Sequence, residues 1–327
     1  MTSIGQSKFR AKQLFDWFHK KLVWNYDEMS NLPIELRTQL KKLNPIVPIE
    51  IQQKLVSKID GTTKYLFRLA DGNIIESVLM KYKHGNSVCI STQVGCNMGC
   101  KFCASTVLGL ERNLTTSEML DQVYSIIKDT NQRVSNIVLM GSGEPLLNLE
   151  NVIDFIYLIN NEHAQNIGQR HITLSTCGLV PQIIELSKLN LQITLAISLH
   201  ATNNEKREKI MPIARKYNLQ NLLKSAKIYS NTTNRRISFE YALINGQNDS
   251  EQDARDLAQL LSNIMCHINL IPVNKIEECE FDSSKNAKEF CKILQSYGIE
   301  TTIRRKLGED IDAACGQLRR RYLENKG

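Results

Sequence analysis

Three cysteines fall within eight residues: Cys96, Cys100 and Cys103 of CNMGCKFC. Thiolates at C-x3-C-x2-C spacing can hold three irons of a [4Fe–4S] cube and leave the fourth iron without a protein ligand. A structural cluster or zinc site instead closes itself with four protein ligands. No fourth donor follows closely in the sequence, so a small molecule is expected to complete the coordination. Three core thiols are the ordinary alternative, since free cysteine packs as a small hydrophobe. Gly95, Asn97, Met98 and Gly99 make that region turn-like, with little to bury, and the second cysteine pair of a zinc site is missing.

Other groups could join this chemistry. GSGEP (141–145) ends the strand-like NIVLMG, and its glycines would let the backbone approach a ligand while Glu144 accepts from an ammonium group. As a bare pattern it is also an ordinary strand-to-helix turn. Cys315, in the small-residue stretch DAACGQL, would be a nucleophile if exposed and activated, although a single loop cysteine is usually inert. Cys89 lies seven residues before Cys96, where a core thiol is the default. Glu76 in IIESVLM has apolar neighbours that could raise its pKa for proton transfer. An edge-strand charge pointing at water is its plainer reading.

These groups need a scaffold. Residues 8–22 (KFRAKQLFDWFHKKL) read as an amphipathic helix with Phe9, Leu14, Phe15, Phe18 and Leu22 inward, and a second helix covers 33–43 from Pro33. Residues 49–82 alternate as strands, with turns at Asp60-Gly61 and Asp71-Gly72. From residue 86, the strand-like runs SVCIST, NIVLMG, HITLST, ITLAIS, ISFEYAL, HINLI and ETTIR alternate with helical patterns. Thr115 and Glu118 form a capping box ahead of one such helix. Repeated βα units predict a parallel sheet, closed or nearly so, with chemistry at the carboxyl ends of its strands. Three segments are expected: a helical accessory unit over 1–45, a β linker over 46–84, and a core over 85–327.

The 327 residues suit one barrel-sized domain plus an appendage. Apolar residues make up 42%, and no run approaches the roughly 20 of a membrane span. The polar start from Met1 to Lys12 and the odd count of nine cysteines predict a protein of the reducing cytoplasm, without a leader or membrane contact. A formal charge of +7 fits a polyanionic partner without requiring one. Basic residues collect before residue 45 and again at Arg304, Arg305, Lys306 and Arg319 to Arg321, where they could bracket a phosphate backbone or simply face water.

The cysteine loop resembles that of the radical S-adenosylmethionine (SAM) superfamily. That resemblance implies one [4Fe–4S] cluster on Cys96, Cys100 and Cys103 with SAM on its open iron. It also implies an α/β fold, a partial (β/α)6-type barrel. In register with that loop, Gly143 and Glu144 would hold SAM's amino group. Ser175, then Ser198, Leu199 and His200 of AISLHA, and Asn274 of NLIPVN would meet the rest of SAM, although each taken singly is more often a capping or loop residue.

From about Lys8 to Leu318 the chain resembles the radical SAM adenine-C2 RNA methyltransferases. KFRAKQLFDW, QVGCNMGCKFC, GEPLLN, LAISLHA, NLIPVN and DIDAACGQL recur in the same order. The resemblance implies methylation of carbon 2 of an adenine in 23S rRNA, and in some members of an adenine beside the tRNA anticodon. Two SAM molecules serve each turnover. Cys315 would become S-methylcysteine, Cys89 would resolve the RNA adduct through a transient disulfide with Cys315, and Glu76 would accept a proton. A low-potential donor such as flavodoxin or ferredoxin is implied, and a monomer suffices. Ser142 stands where the family often has methionine, and Cys177 where it often has serine. VNKIEECEF lacks the proline-rich form of some members. The rivals are the related C8 methylases, which share Cys89, the cluster loop and Cys315, and a non-catalytic RNA-binding protein with a structural metal.

Overall fold

The computed structural model describes residues 4–273 and 281–311. The chain opens with helices α1 (Lys8–His19) and α2 (Ile34–Leu43), which enclose a small core of Tyr26, Met29, Leu32, Leu36 and Leu40. Leu14 and Phe18 pack against that core, but Phe9 is 64% exposed, so the expected inward stripe is only partly realised. α1 also stops short of residue 22. The Lys20 and Lys21 N–H groups both fall on the Asp16 carbonyl, and Leu22 takes a φ of 57°, outside the helical region. Leu22 turns into the main core instead.

Strands β1 (Glu50–Val56), β2 (Thr63–Arg68) and β3 (Ile74–Tyr82) form an antiparallel meander. Its turns lie at Gly61 and Gly72, with φ of 72° and 86°, as the Asp-Gly pairs predict. β3 then pairs antiparallel with β4 (Gly85–Cys89), so this segment is continuous with the main sheet. A short ribbon follows, β5 (Gln93–Gly95) against β6 (Leu110–Asn113), which no sequence pattern revealed.

Beyond the ribbon, helices and strands alternate: α3 (Thr116–Thr130), β7 (Val134–Leu139), α4 (Leu149–Asn160), β8 (Ile172–Thr176), α5 (Val180–Lys188) and β9 (Thr194–Ser198). The series continues with α6 (Asn204–Ile210), α7 (Leu219–Thr233), β10 (Ile237–Leu243), α8 (Glu251–Leu261), β11 (Cys266–Pro272), α9 (Ala287–Ser296) and β12 (Thr301–Ile303). Thr115 and Glu118 form the predicted capping box on α3. From β4 through β7 to β12, neighbouring strands are parallel. Among the described residues the sheet has ten strands and its pairing order does not close, which makes a partial barrel rather than a full one.

The strands are apolar on both faces because helices cover one side and the barrel interior lies on the other. Ile137, Leu174, Leu195, Phe239 and Leu270 are fully buried within one continuous core. The helical unit is fastened to α3 by polar contacts. His19 Nδ1 lies 2.9 Å from the Tyr124 hydroxyl, and Trp24 Nε1 donates to Asp121 at 3.2 Å.

Candidate active site

A cavity of about 580 Å3 opens at the carboxyl ends of the parallel strands. The cysteine loop forms part of its lining. It hangs between the two strands of the ribbon: the Cys96 N–H donates to the Gly109 carbonyl and Lys101 N–H to the Ile210 carbonyl, each at 3.0 Å. Cys103 N–H returns to the Cys100 carbonyl, and Thr106 Oγ1 donates to the Cys103 carbonyl at 2.9 Å. All three thiols face the cavity. Burial pushes the Cys96 thiol up to about 11 and raises the other two, with the neighbouring cysteines adding to the rise at Cys96 and Cys100. Loading with iron would therefore release protons. No three His, Cys, Asp or Glu side chains among the described residues are arranged to hold a single metal ion. Three soft thiols on one wall are the donor chemistry an iron–sulfur cluster needs, and the site fits one.

The GSGEP turn follows β7. A Cβ on Gly141 would sit 2.6 Å from the Ile90 carbonyl, and one on Gly143, whose φ is 111°, would sit 2.7 Å from Gln93 Cβ. Both glycines thus serve close approach to the neighbouring strand and ribbon, in addition to any ligand. A buried network holds the turn. Gln122 bridges Ser77 and the Ser91 backbone, Ser91 Oγ donates to the Glu76 carbonyl, and Ser142 N–H donates to Ser91 Oγ. The Glu144 carboxylate, 3% exposed, accepts from the N–H groups of Leu146 at 3.1 Å and Cys177 at 2.7 Å. Burial raises its pKa, and these donors oppose the rise. It keeps a face on the cavity.

Ser175 on β8 and Ser198 on β9 also line the cavity. So does His200, in a left-handed backbone conformation (φ 57°). His200 Nδ1 accepts from the Ala242 N–H at 2.9 Å, and a backbone amide can only donate. The proton of the neutral ring therefore sits on Nε2, ready to be donated. Burial, then the Arg207 charge, depresses the pKa to about 3, so the ring stays neutral. Leu199 lies between Ser198 and His200 with its side chain off the cavity: its N–H donates to the Glu240 carbonyl, and its own carbonyl accepts from Arg207. The fully buried Arg207 clamps the carbonyls of Leu199, Cys177 and Ser198 at 3.1, 2.8 and 3.0 Å.

On another wall Glu76 is buried, not water-facing, and pairs with the fully buried Lys64 at 3.2 Å. Cys89 lies close by, a free thiol pushed up to about 11 by burial, with the Arg304 charge opposing. Arg304 also faces Glu240, whose carboxylate accepts from Asn269 at 2.9 Å. Arg305 and Lys306 stand exposed at the rim. The sequence reading missed Lys64, Cys177, Arg207 and Glu240 as site residues. Only Cys177 carried a signal, by following Ser175 so closely. Asn274 and Cys315 lie outside the described residues.

Comparison with known proteins agrees with this arrangement. Residues 90–258 match the model of the radical SAM superfamily, and residues 1–46 match the ribosomal RNA large subunit methyltransferase N-terminal domain. A relative from Clostridium novyi, described as "Probable dual-specificity RNA methyltransferase RlmN", is 58% identical over 99% of this chain and 95% of its own length. One from Alkaliphilus oremlandii with the same description is 55% identical, over 99% and 95%. The crystal structure of a radical SAM methyltransferase from Sphaerobacter thermophilus superposes with a TM-score of 0.92 at 41% identity, covering 97% of this chain and 94% of that one. With its cysteine loop, partial barrel and N-terminal helices accounted for, the chain belongs to the RlmN family of radical SAM methyltransferases.

Proposed function

We propose that this chain methylates carbon 2 of an adenine in 23S rRNA, and of an adenine beside the anticodon of tRNA, with Cys315 as the methyl carrier. The observation that carries the reading is the convergence of Cys89, Cys96, Cys100, Cys103, Glu76 and Glu144 on one cavity in a chain 58% identical to an RlmN relative. Membership of the family brings a [4Fe–4S] cluster and SAM as cofactors. When bound, they supply a methyl group and a one-electron route to a carbon radical. Carbon 2 of adenine is electron-poor and cannot act as the nucleophile towards SAM, which is why a carrier residue is needed.

The chain's own residues divide this work. Cys96, Cys100 and Cys103 hold the cluster, and Glu144, with Gly143, receives SAM's ammonium. Ser175, Ser198 and the Nε2–H of His200 address its remaining polar groups. Asn274 is proposed for the same task. The S-methyl carbon carried by Cys315, after giving up one hydrogen atom to the SAM-derived radical, would bond to carbon 2 of the adenine, which loses its proton to Glu76 and one electron to the cofactor. Cys89 then attacks the Cys315 sulfur: the S–S bond forms, the C–S bond breaks, and the leaving carbon takes the electron pair and a proton. The positive rim of Arg304, Arg305 and Lys306, with the basic helical unit, suits an RNA backbone. Unpaired RNA fits such a site, because the adenine must leave its stack to enter.

A low-potential flavodoxin or ferredoxin would supply electrons, and a cytoplasmic monomer suffices. Among the described residues, no helix is long and apolar enough to cross a membrane. The test is anaerobic reconstitution with iron and sulfide, then incubation with methyl-labelled SAM and each RNA. Label on carbon 2 of both RNAs is the expected result. A carbon 8 product, or label independent of Cys315, would overturn the reading.

A further inference from the structure

A third buried carboxylate lines the cavity and has no part in the steps above. Glu240 stands in the mostly apolar β10 and is 4% exposed. Strand alternation puts it on the inner face, in register with Ser198 of β9 and Asn269 of β11, while its neighbour Tyr241 packs on Phe290 of α9. Its Oε2 accepts from Asn269 at 2.9 Å and its Oε1 from Ser238 at 3.3 Å. Each oxygen keeps a lone pair for a further donor. Arg304 follows β12, its N–H on the Leu270 carbonyl at 2.8 Å, and is half-buried where Arg305 and Lys306 are exposed. Its charge reaches both Glu240 and Cys89, yet among the described residues its guanidinium enters no ion pair or hydrogen bond. Burying a carboxylate is costly, and a guanidinium that stops short of it leaves that cost unrelieved. The gap suits a group that donates to one side and accepts from the other.

We infer that Glu240 and Arg304 read the Hoogsteen edge of the RNA adenine: the Glu240 carboxylate accepts from the N6 amino group, and the Arg304 guanidinium donates to N7. This rests on the proposed function, in taking carbon 2 of an unstacked adenine as the reacting atom. Nitrogens 1 and 3 flank carbon 2, so a grip on that side would crowd the Cys315 methyl carbon and Glu76. The Hoogsteen edge lies across the ring and leaves them room. A base taken out of its stack arrives with its donors and acceptors bare, and they must be met inside the protein. Guanine in the same pose would set its O6 against the carboxylate, two acceptors with no hydrogen between them. Arg305 and Lys306 remain at the rim for the phosphates. SAM carries an adenine of the same chemistry, so the test separates the two sources.

The test pairs changes in the protein with changes in the base. Reconstituted holoenzyme methylates a 23S rRNA fragment whose target is adenine, purine (no amino group) or 7-deazaadenine (no N7). Glu240→Met is expected to lower kcat/KM about 10- to 100-fold on adenine RNA, the worth of a charge-assisted hydrogen bond, and to leave purine RNA within about twofold. Glu240→Gln, which keeps one acceptor, should fall between wild type and Glu240→Met. Arg304→Met should repeat the pattern with 7-deazaadenine in place of purine. Equal losses on adenine and purine RNA would mean that Glu240 serves the fold, and would overturn the inference. SAM affinity by calorimetry should stay within about twofold in every variant. A fall in SAM affinity that matches the fall in methylation would assign the pair to the cofactor's adenine, and would overturn it too. Wild-type rates that are equal on all three RNAs refute the reading without any variant. Wild-type protein that does not methylate adenine RNA would overturn the proposed function itself, a failure distinct from these.

Discussion

Two buried carboxylates face the same cavity and are held in opposite ways. Glu144 is held by backbone amides, which orient it without cancelling its charge. Glu76 is held by Lys64, a full counter-charge with no exposed surface. One wall therefore keeps a net attraction for a cation, and the other is already neutral as a pair. On the proposed function, a sulfonium cofactor with an ammonium group sits against the first. The second can present a carboxylate to a neutral purine without drawing the cofactor away.

Removing Lys64 should break this contrast with the largest effect. Lys64→Met takes the lysine from the buried Glu76 and is expected to cost about 3–5 kcal/mol in denaturant unfolding. Lys64→Met with Glu76→Gln should recover most of that. A double variant as unstable as the single one would show that the pair is not what the lysine serves. Next in size, Gly141→Ala should cost about 1–3 kcal/mol, because its new methyl meets the Ile90 carbonyl rather than a movable side chain. Its thermal midpoint against Gly168→Ala, where φ is −59° and the new methyl makes only an ordinary 3.5 Å contact with His171, measures the difference.

On the other wall, Glu144→Gln removes charge but keeps shape. SAM binding by titration calorimetry should weaken roughly 10- to 100-fold, the loss of one charge-assisted hydrogen bond. The same change at Glu76 should leave SAM affinity within about twofold and abolish release of methylated RNA. If Glu76→Gln weakened SAM as much as Glu144→Gln, the two walls would not differ as argued.

The smallest effect lies where the helical unit meets α3. Burial pushes Asp121 up to about 7. A carboxyl raised in the folded state stabilises fully below its unfolded value near 4 and loses that contribution as pH climbs through 7. Asp121→Asn should flatten the stability profile between those values and gain about 1–2 kcal/mol at pH 8, discounted for partial exposure. An unchanged slope in pH-dependent melting would count against burial as the cause.

Much of this was legible in the residues, and the reasons are local. ISFEYAL coincides with β10 because a strand buried on both faces is apolar throughout, and Thr115 with Glu118 marks α3 because capping is short-range chemistry. The cysteine loop and Glu144 were visible for the same reason. Lys64 was not, since a lysine inside TTKYLFR reads as a solvent-facing residue until its carboxylate partner on the next strand is known. Arg207 was hidden because its targets are three carbonyls, which have no sequence signature. Leu199 was named beside Ser198 and His200 by adjacency in the chain; in the fold its backbone is spent on the Glu240 carbonyl and on Arg207. Glu76 read as an edge charge because β3's second neighbour, β4, begins the other half of the sheet.

The glycines of the GSGEP turn have a consequence for assembly. Their contacts are with Ile90 and Gln93, inside the polypeptide, and involve no atom of a prosthetic group. The receptacle is cast by the sheet, so inserting the inorganic centre fills a mould instead of driving the chain to fold, as zinc does in a finger. Stripping the iron with a chelator should silence the enzyme and leave its melting cooperative.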